Sequence, residues 1–586
     1  MVEQDQAQQS SPSAFLVLRV VRFLGLVALG AIVGGVAALV AVSFVAGVVW
    51  LNDTLLISPR GRMMFEYPHW LVVTTLAVPI LGGVLVGQLH RLLPQHRPHG
   101  PADVIAAVQT GRGRLPIRAG AVSALSALVS LGSGASVGQY GPLVHLGASL
   151  GSAGARWLRL SRCDDHITIA CGVAAAIATV FNAPLAGIVF AHEVVLRHYA
   201  LRAFAPVAAA ALVGHVIATN VLARGALFHV AEAPLPRSWE FGVFLLVGGL
   251  GALIAGAYMR AILAVGARSA RLALAQPLRP AVAGAMLGVA ALWVPDILGM
   301  GKETLRFATI AGAYTSPELL MVMGLKLAAT ALCLGMGFGG GVFSPALVIG
   351  TLFGALVGTL VASISGVTDT FVFYAICGMV AVTAPVIGAP LTTLLIVFEL
   401  TGSYALMTAA LASVTLACPI AAQLFGRSLF DIQLARRGLD LSVGRSQAML
   451  GETRITDLIS DDCVTLTSET TVAQAVAALT RSGHALGHLV DGQGRYRNSL
   501  TLVELYRGQE RDSALLVGDW PRTPRPVLGP DSSLWTAIGL LQRGAGETIV
   551  VVDDEDRFLG VVREARIAKA YLRHSDALNR EEHGAG

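Results

Sequence analysis

Two short segments have the residue types and spacing to do chemistry together. They are Gly138-Gln-Tyr-Gly-Pro142 and, roughly 200 residues later, Gly341-Val-Phe-Ser-Pro345. Glycine admits backbone angles closed to other residues and proline is tolerated in the first helical turn, so each segment predicts a break followed by a helix start. A helix start leaves backbone N–H groups without intrahelical partners and carries about half a positive charge. Two such starts aimed at one place make an anion site from amides alone, and neither segment contains lysine or arginine. The candidate anion-binding residues are therefore Gln139, Tyr140 and Gly141 in the first segment and Val342 and Phe343 in the second. Either segment alone reads equally well as a kink with glycines for close helix packing; the pairing argues for a site.

A second pair of segments follows in the same order, Ala183-Pro184-Leu185 with Glu193 against Ala389-Pro390-Leu391 with Glu399. Two motifs at nearly the same offset predict a membrane domain built from two halves, at about residues 100–225 and 300–438. Such halves commonly have inverted topology, and Gly/Pro-interrupted segments at matching positions point to the transport site.

The elements that must position these residues are apolar helices. Of the 586 residues 54% are hydrophobic and 13% charged, against roughly 25% charged in an average soluble domain; the mean hydropathy is +0.67. Apolar runs near the roughly 20 residues needed to cross a bilayer recur, as at 203–222 and 241–259. Without the dyad alternation of a barrel they are helices, since only helices and closed barrels satisfy the backbone in lipid.

The start, MVEQDQAQQSSPS, lacks a basic n-region, and the run after it contains Arg19 and Arg22 and is too long for a signal sequence. Residues 1–14 are read as a retained cytoplasmic tail. Arg112, Arg114 and Arg118, and then Arg427, Arg436 and Arg437, predict cytoplasmic loops, so both termini are expected in the cytoplasm. The six cysteines lack CxxC spacing, which gives no sign of a disulfide framework or a metal site, and a net charge of +5 does not argue for nucleic acid.

The expected organisation is a membrane domain at 15–438, a linker at 439–451, and a soluble α/β region with two copies at 452–508 and 514–575 ahead of a tail at 576–586. The duplication rests on Ile455-Thr-Asp-Leu-Ile, Thr470-Thr-Val-Ala and Gly487-His-Leu-Val-Asp, which recur loosely as Leu516-Val-Gly-Asp-Trp, Asp531-Ser-Ser-Leu and Thr548-Ile-Val-Val-Val.

These residues resemble the CLC chloride channels and transporters. Gly138–Pro142 is similar to the family's GxEGP motif, Gly341–Pro345 to its GxFxP motif, and Phe181-Asn-Ala-Pro-Leu-Ala-Gly-Ile-Val-Phe190 to the signature after its first anion-binding helix. The soluble region resembles the paired CBS domains that many members carry. The resemblance implies an all-α polytopic membrane protein with an inverted internal repeat and a cytoplasmic α/β CBS pair. It also implies a homodimer in the lipid bilayer of the cell (inner) membrane, with one anion pathway per subunit, no required cofactor and no enzymatic activity.

Several positions depart from the family. Its gating glutamate falls on Tyr140, and the inner proton-receiving glutamate of its exchangers falls on Val194. The tyrosine that offers its hydroxyl to the central anion falls on Phe430, and the early serine loop appears as His99-Gly100-Pro101, leaving Gly100 as the matching anion contact. A phenol has a reference pKa near 10, so ionising it at neutral pH costs about 4 kcal/mol. Tyr140 is thus expected to act as a hydrogen-bond donor and gate. With neither proton-carrying carboxylate in place, the expectation is a passive pathway for chloride or a similar small anion. The alternative is a coupled exchanger using Glu193 or His145. CBS pairs can bind adenine nucleotides through a Thr-x-x-Asp, here Thr501-Leu-Val-Glu504; the second copy reads Arg563-Glu-Ala-Arg566, so a purely structural tail stands beside the nucleotide reading. A cation channel would want carboxylates near the breaks, and residues 132–147 and 335–350 contain none.

Overall fold

The computed structural model describes residues 12–57, 68–110, 115–222, 234–441, 444–512, 514–521, 525–543 and 547–583. The expected tail at 1–14 lies mostly outside them, as do Arg112 and Arg114. The chain divides into two units, Met1–Gly438 and Leu439–Gly586.

The first unit is helical throughout its described residues. Its elements are α1 (Pro12–Thr54), α2 (Pro68–His90), α3 (Pro101–Thr110), α4 (Ile117–Gly132), α5 (Tyr140–Trp157), α6 (Arg162–Phe181), α7 (Pro184–Phe190, continued by a π-helical turn Ala191–Leu196) and α8 (Leu201–Leu222). Then come α9 (Glu240–Arg271), α10 (Arg279–Ala291), α11 (Lys302–Phe307), α12 (Ser316–Gly335), α13 (Phe343–Ser365), α14 (Phe371–Ile387), α15 (Pro390–Thr401), α16 (Tyr404–Phe425) and α17 (Leu429–Ala435). Among the described residues, eight helical stretches are long and apolar enough to span a membrane.

The duplication in the sequence is a duplication in space. Helices α4 to α8 correspond to α12 to α16. α6 ends on Asn182 and α14 on Gly388, both in the left-handed region (φ 56° and 70°), and each is followed by Ala-Pro that starts the next helix. α5 packs on α6 where Gly147 meets Gly172, and α13 on α14 where Gly350 meets Gly378. A Cβ on Gly147 would stand 2.4 Å from the Gly172 oxygen, and one on Gly350 would stand 2.5 Å from that of Gly378. Only glycine lets these backbones approach so closely.

The halves meet through their matched glycines. Gly138 N–H donates to Gly341 O and Gly341 N–H to Gly138 O, both at 2.7 Å, a two-residue antiparallel bridge in an otherwise helical unit.

The second unit contains α18 (Arg445–Glu452) and two three-stranded sheets. In the first, β1 (Val464–Leu466) pairs parallel with β2 (Leu486–Val490), which pairs antiparallel with β3 (Tyr496–Thr501). In the second, β4 (Val527–Leu528), β5 (Thr548–Val552) and β6 (Phe558–Arg563) repeat that order and sense. Helices α19 (Val472–Ser482) and α20 (Leu502–Arg511) belong to the first copy, α21 (Leu534–Gln542) and α22 (Glu564–His583) to the second.

Two expectations are corrected here. Residues 439–451 are not a bare linker: Leu450 of α18 is buried in the core of the second copy with Leu528, Leu534 and Val562. The copies also exchange their leading segments. Ile455, read as the start of the first copy, packs into that same second core, while Val517 packs into the first with Leu466, Leu489 and Leu500. A three-stranded sheet leaves an apolar face uncovered, and the segment leading into the other copy covers it. The expected tail from 576 continues α22 to His583.

His488 on β2 is buried, with Nδ1 2.8 Å from Ser499 Oγ and its ring 5.7 Å from that of Phe558. Burial pushes its pKa down to about 4, with the charges of Arg525 and His484 adding to the shift. The folded unit holds His488 neutral while the unfolded chain binds a proton below about 6.5, so stability is whole above that pH and falls between about 6.5 and 4. Thermal melts from pH 7.5 to 4.5 should show this loss in the native protein and a smaller one in His488→Gln.

Candidate functional site

The bridge sets two helix starts side by side. Beyond Gly138 and Gly341 the chain enters α5 through Gln139 and α13 through Val342, and in both helices the third residue is proline, Pro142 or Pro345. The first-turn N–H groups without intrahelical partners belong to Gln139, Tyr140 and Gly141 on one side and to Val342, Phe343 and Ser344 on the other. The contact is close: a Cβ on Gly141 would stand 3.1 Å from the Gly341 Cα and 3.4 Å from Pro101 Cδ, which brings the start of α3 to the same place. Tyr258 of α9, fully buried, donates its hydroxyl to Val342 O at 3.1 Å and fixes the entry to α13. Ahead of α5, Gly134 O accepts from Gly299 N–H at 2.8 Å, and buried Lys326 donates to the oxygens of Ile297 and Gly299.

Two cavities approach this junction. The larger, about 430 Å³, is lined by Gly100, Tyr140, Gly141, Val342, Phe343 and Phe430 among others. The smaller, about 180 Å³, is lined by Gln139, Tyr140, Phe181, Lys302, Ser344 and Glu399 among others. Tyr140 lines both. Its ring stacks on Phe181 with centroids 3.8 Å apart and planes 8° from parallel, and meets Phe343 edge-on at 5.2 Å. Three aromatic rings therefore pack together at the neck between the cavities, beside helix ends that favour negative charge.

The other predicted residues fall as follows. Gly100 lines the larger cavity, and its N–H donates to Asp103 Oδ2 at 2.9 Å, so the acid three residues on holds the donor at the start of α3. Val194 is buried and lines a third cavity of about 360 Å³ with Glu193, Arg197 and Asp431. His145 is buried within α5, 5.4 Å from the His99 ring, with no hydrogen-bond partner at Nδ1.

Glu193 caps a helix of the other half. Its carboxylate accepts from Leu391 N–H at 3.0 Å, Thr392 N–H at 2.9 Å and Thr392 Oγ1 at 2.7 Å, at the start of α15. Glu399 returns the contact on α7, accepting from Leu185 N–H at 2.9 Å and Ala186 N–H at 2.8 Å. In the second unit, Thr501 and Glu504 satisfy one another as a capping box on α20. An opening of about 430 Å³ there is lined by Asp462, His484 and Arg563, and the Arg563 guanidinium donates to Asp462 Oδ2 at 2.6 Å.

Sequence reasoning missed the stacking of Phe181 on Tyr140, although Phe181 stood in the recognised signature. It also missed Tyr258, which no local pattern marks, and Asp103, whose position three residues after a glycine N-cap was the available signal.

A duplicated helical membrane unit with helix starts converging on an aromatic neck, followed by a paired α/β unit, defines a CLC-type anion-transport protein. The family model for voltage gated chloride channels matches residues 81–422, more than half the chain, and that for the CBS domain matches residues 517–573. The chain belongs to the voltage-gated chloride channel family.

It is 34% identical over 351 residues to a ClcB-like chloride channel protein of Ralstonia nicotianae, an alignment covering 58% of this chain and 79% of that one. It is 28% identical over 414 residues to the voltage-gated ClC-type chloride channel ClcB of Escherichia coli, covering 69% and 97%. In fold it is similar to a slow cyanobacterial Cl-/H+ antiporter (TM-score 0.64, 22% identity, 70% of this chain and 97% of that one). It is also similar to a eukaryotic CLC transporter (TM-score 0.62, 20% identity, 93% and 98%).

The reciprocal caps yield a direct prediction. Glu193→Gln and Glu399→Gln should lower stability by similar amounts, about 1–2 kcal/mol each, because each removes a charged acceptor from two helix-start amides. Thermal denaturation of the purified variants reads this out. A Glu193 variant of native stability but altered proton movement would instead make that residue a proton carrier.

Proposed function

We propose that the protein conducts chloride or a similar small anion passively, with Tyr140 as the gate between the two cavities. The observation that carries this reading is that Tyr140 lines both cavities while a phenol stacked on Phe181 and Phe343, and not a carboxylate, stands at the neck. A phenol at neutral pH keeps its proton, since losing it costs about 4 kcal/mol. The position that serves exchangers of the family as the inner proton site is Val194, which cannot hold one, and neighbouring Glu193 is engaged by three donors.

The anion passes Gln139, Tyr140, Gly141, Val342 and Phe343 and meets the Phe430 ring in the larger cavity, where the family's usual tyrosine hydroxyl is absent. The protein acts as a homodimer with one pathway per subunit in the cell membrane, with both termini in the cytoplasm. Arg437, one of the arginines that predict a cytoplasmic loop, lines the larger cavity, which supports reading that cavity as the cytoplasmic one. The CBS pair serves as a structural element of the dimer. Thr501 and Glu504 are committed to each other, and Arg563 to Asp462, so an adenine nucleotide would have to displace both contacts.

The test uses purified protein in liposomes under a chloride gradient, with the potential clamped by a potassium ionophore and anion and proton movement recorded together. Efflux without uphill proton movement is expected. Tyr140→Ala should open the neck and raise efflux severalfold, and Tyr140→Phe should keep the stack while changing the ranking of anions. Proton pumping at a fixed ratio would sink the passive reading.

A further inference from the structure

In the larger cavity one carboxylate is held by several donors at once. The carboxylate of Asp103 accepts from Gly100 N–H at 2.9 Å, from Arg97 Nη2 at 2.6 Å and Nη1 at 3.1 Å, and from Arg437 Nη1 at 2.9 Å. All four residues line the larger cavity, and the Asp103 side chain keeps 13% of its exposure there. A loop amide and two guanidiniums are the donors with which a protein holds a free anion. Capping α3 would need only the Gly100 contact; the two arginines leave the cluster with one positive charge in excess.

Resting on the anion-pathway reading above, we propose that Asp103 is a tethered competitor at the cytoplasmic entrance. Its carboxylate occupies an anion subsite made by Gly100 N–H, Arg97 and Arg437, and a permeating halide or small oxyanion must displace it to bind there. Asp103 is thereby a specificity-determining residue. A monovalent anion small enough to enter between two guanidiniums replaces one carboxylate charge by another, whereas a bulky one cannot reach the amide behind them.

The three donors come from distant parts of the chain. Gly100 and Arg97 lie in the loop before α3, and Arg437 just after α17, whose Phe430 lines the same cavity. With the carboxylate in place the cluster joins these two parts. With an anion in its place the three donors gather around a mobile ion.

The experiment measures flux in liposomes while chloride is varied on one side at a time, using protein whose orientation is fixed by inhibiting or modifying one population. Asp103→Asn keeps an acceptor for Gly100 N–H but removes the charge. It should lower the half-saturating chloride concentration on the cytoplasmic side by about 5- to 10-fold, equivalent to 1.0–1.4 kcal/mol at RT of about 0.6 kcal/mol, and leave the other side unchanged. Asp103→Glu, which retains the charge on a longer stem, should stay near the native value. A bromide titration of the purified proteins should show one more bound anion per subunit in Asp103→Asn than in the native protein.

A cytoplasmic half-saturation in Asp103→Asn equal to that of the native protein, or an unchanged bromide stoichiometry, would overturn the proposal. The passive reading fails separately, through proton movement in the same assay, and the bromide titration decides the role of Asp103 whether or not protons move. If Asp103→Asn does not fold, Asp103→Ser gives the same decision: it removes the charge and leaves all three donors, so half-saturation should fall on the cytoplasmic side alone, and no change there counts against the competitor.

Discussion

The pair of hydrogen bonds between Gly138 and Gly341 is the constraint on which the rest of the membrane unit depends. Two chain breaks, each costly in lipid because it strips a helix of partners, are placed against one another so that each supplies what the other lacks. Once they are joined, the directions of α5 and α13 follow, and so does the meeting of their first turns. The glycines are required by space, since a Cβ on Gly138 would stand 2.9 Å from the oxygen it pairs with. The surrounding glycine contacts between α5 and α6 and between α13 and α14 hold the bridge from behind, at matching positions in the two halves.

On the reading proposed above, a tyrosine at the neck changes the kind of closure. A carboxylate closes an anion pathway by offering a rival charge to the same amides, and it opens when protonated. An aromatic ring stacked on another would close it by filling space and would open when the stack is lost, at a cost of about 0.5–1.5 kcal/mol of ring contact beyond the buried area. The acids that remain near the pathway are engaged elsewhere: Glu193 and Glu399 on helix starts, Asp103 between two arginines.

The repeated breaks, the two halves, the membrane class and the α/β pair were legible because each is written in local composition at a recurring offset. Tyr140 stood out for the same reason, as a bulky residue among glycines. What was not legible depends on contacts between distant segments. Nothing near Gly100 announces that Arg437 will arrive to hold Asp103, and Tyr258 is one aromatic among many on an apolar helix. The exchanged segments of the soluble unit were misassigned because sequence order names the copy a segment precedes, while burial decides the copy it packs in. Leu450 and Ile455 are apolar enough for either core.

The exchange of caps between Glu193 and Glu399 also bears on how the chain is made. Leu185 N–H finds its acceptor 214 residues further on. At synthesis rates of about 5–20 residues per second the first half waits roughly 10–40 seconds, already in the membrane, before the group that finishes α7 exists. During that interval the leading amides of α7 lack the carboxylate that accepts from them in the finished protein. The second half, by contrast, finds the carboxylate of Glu193 already waiting. Assembly is therefore ordered in time although the finished halves are alike.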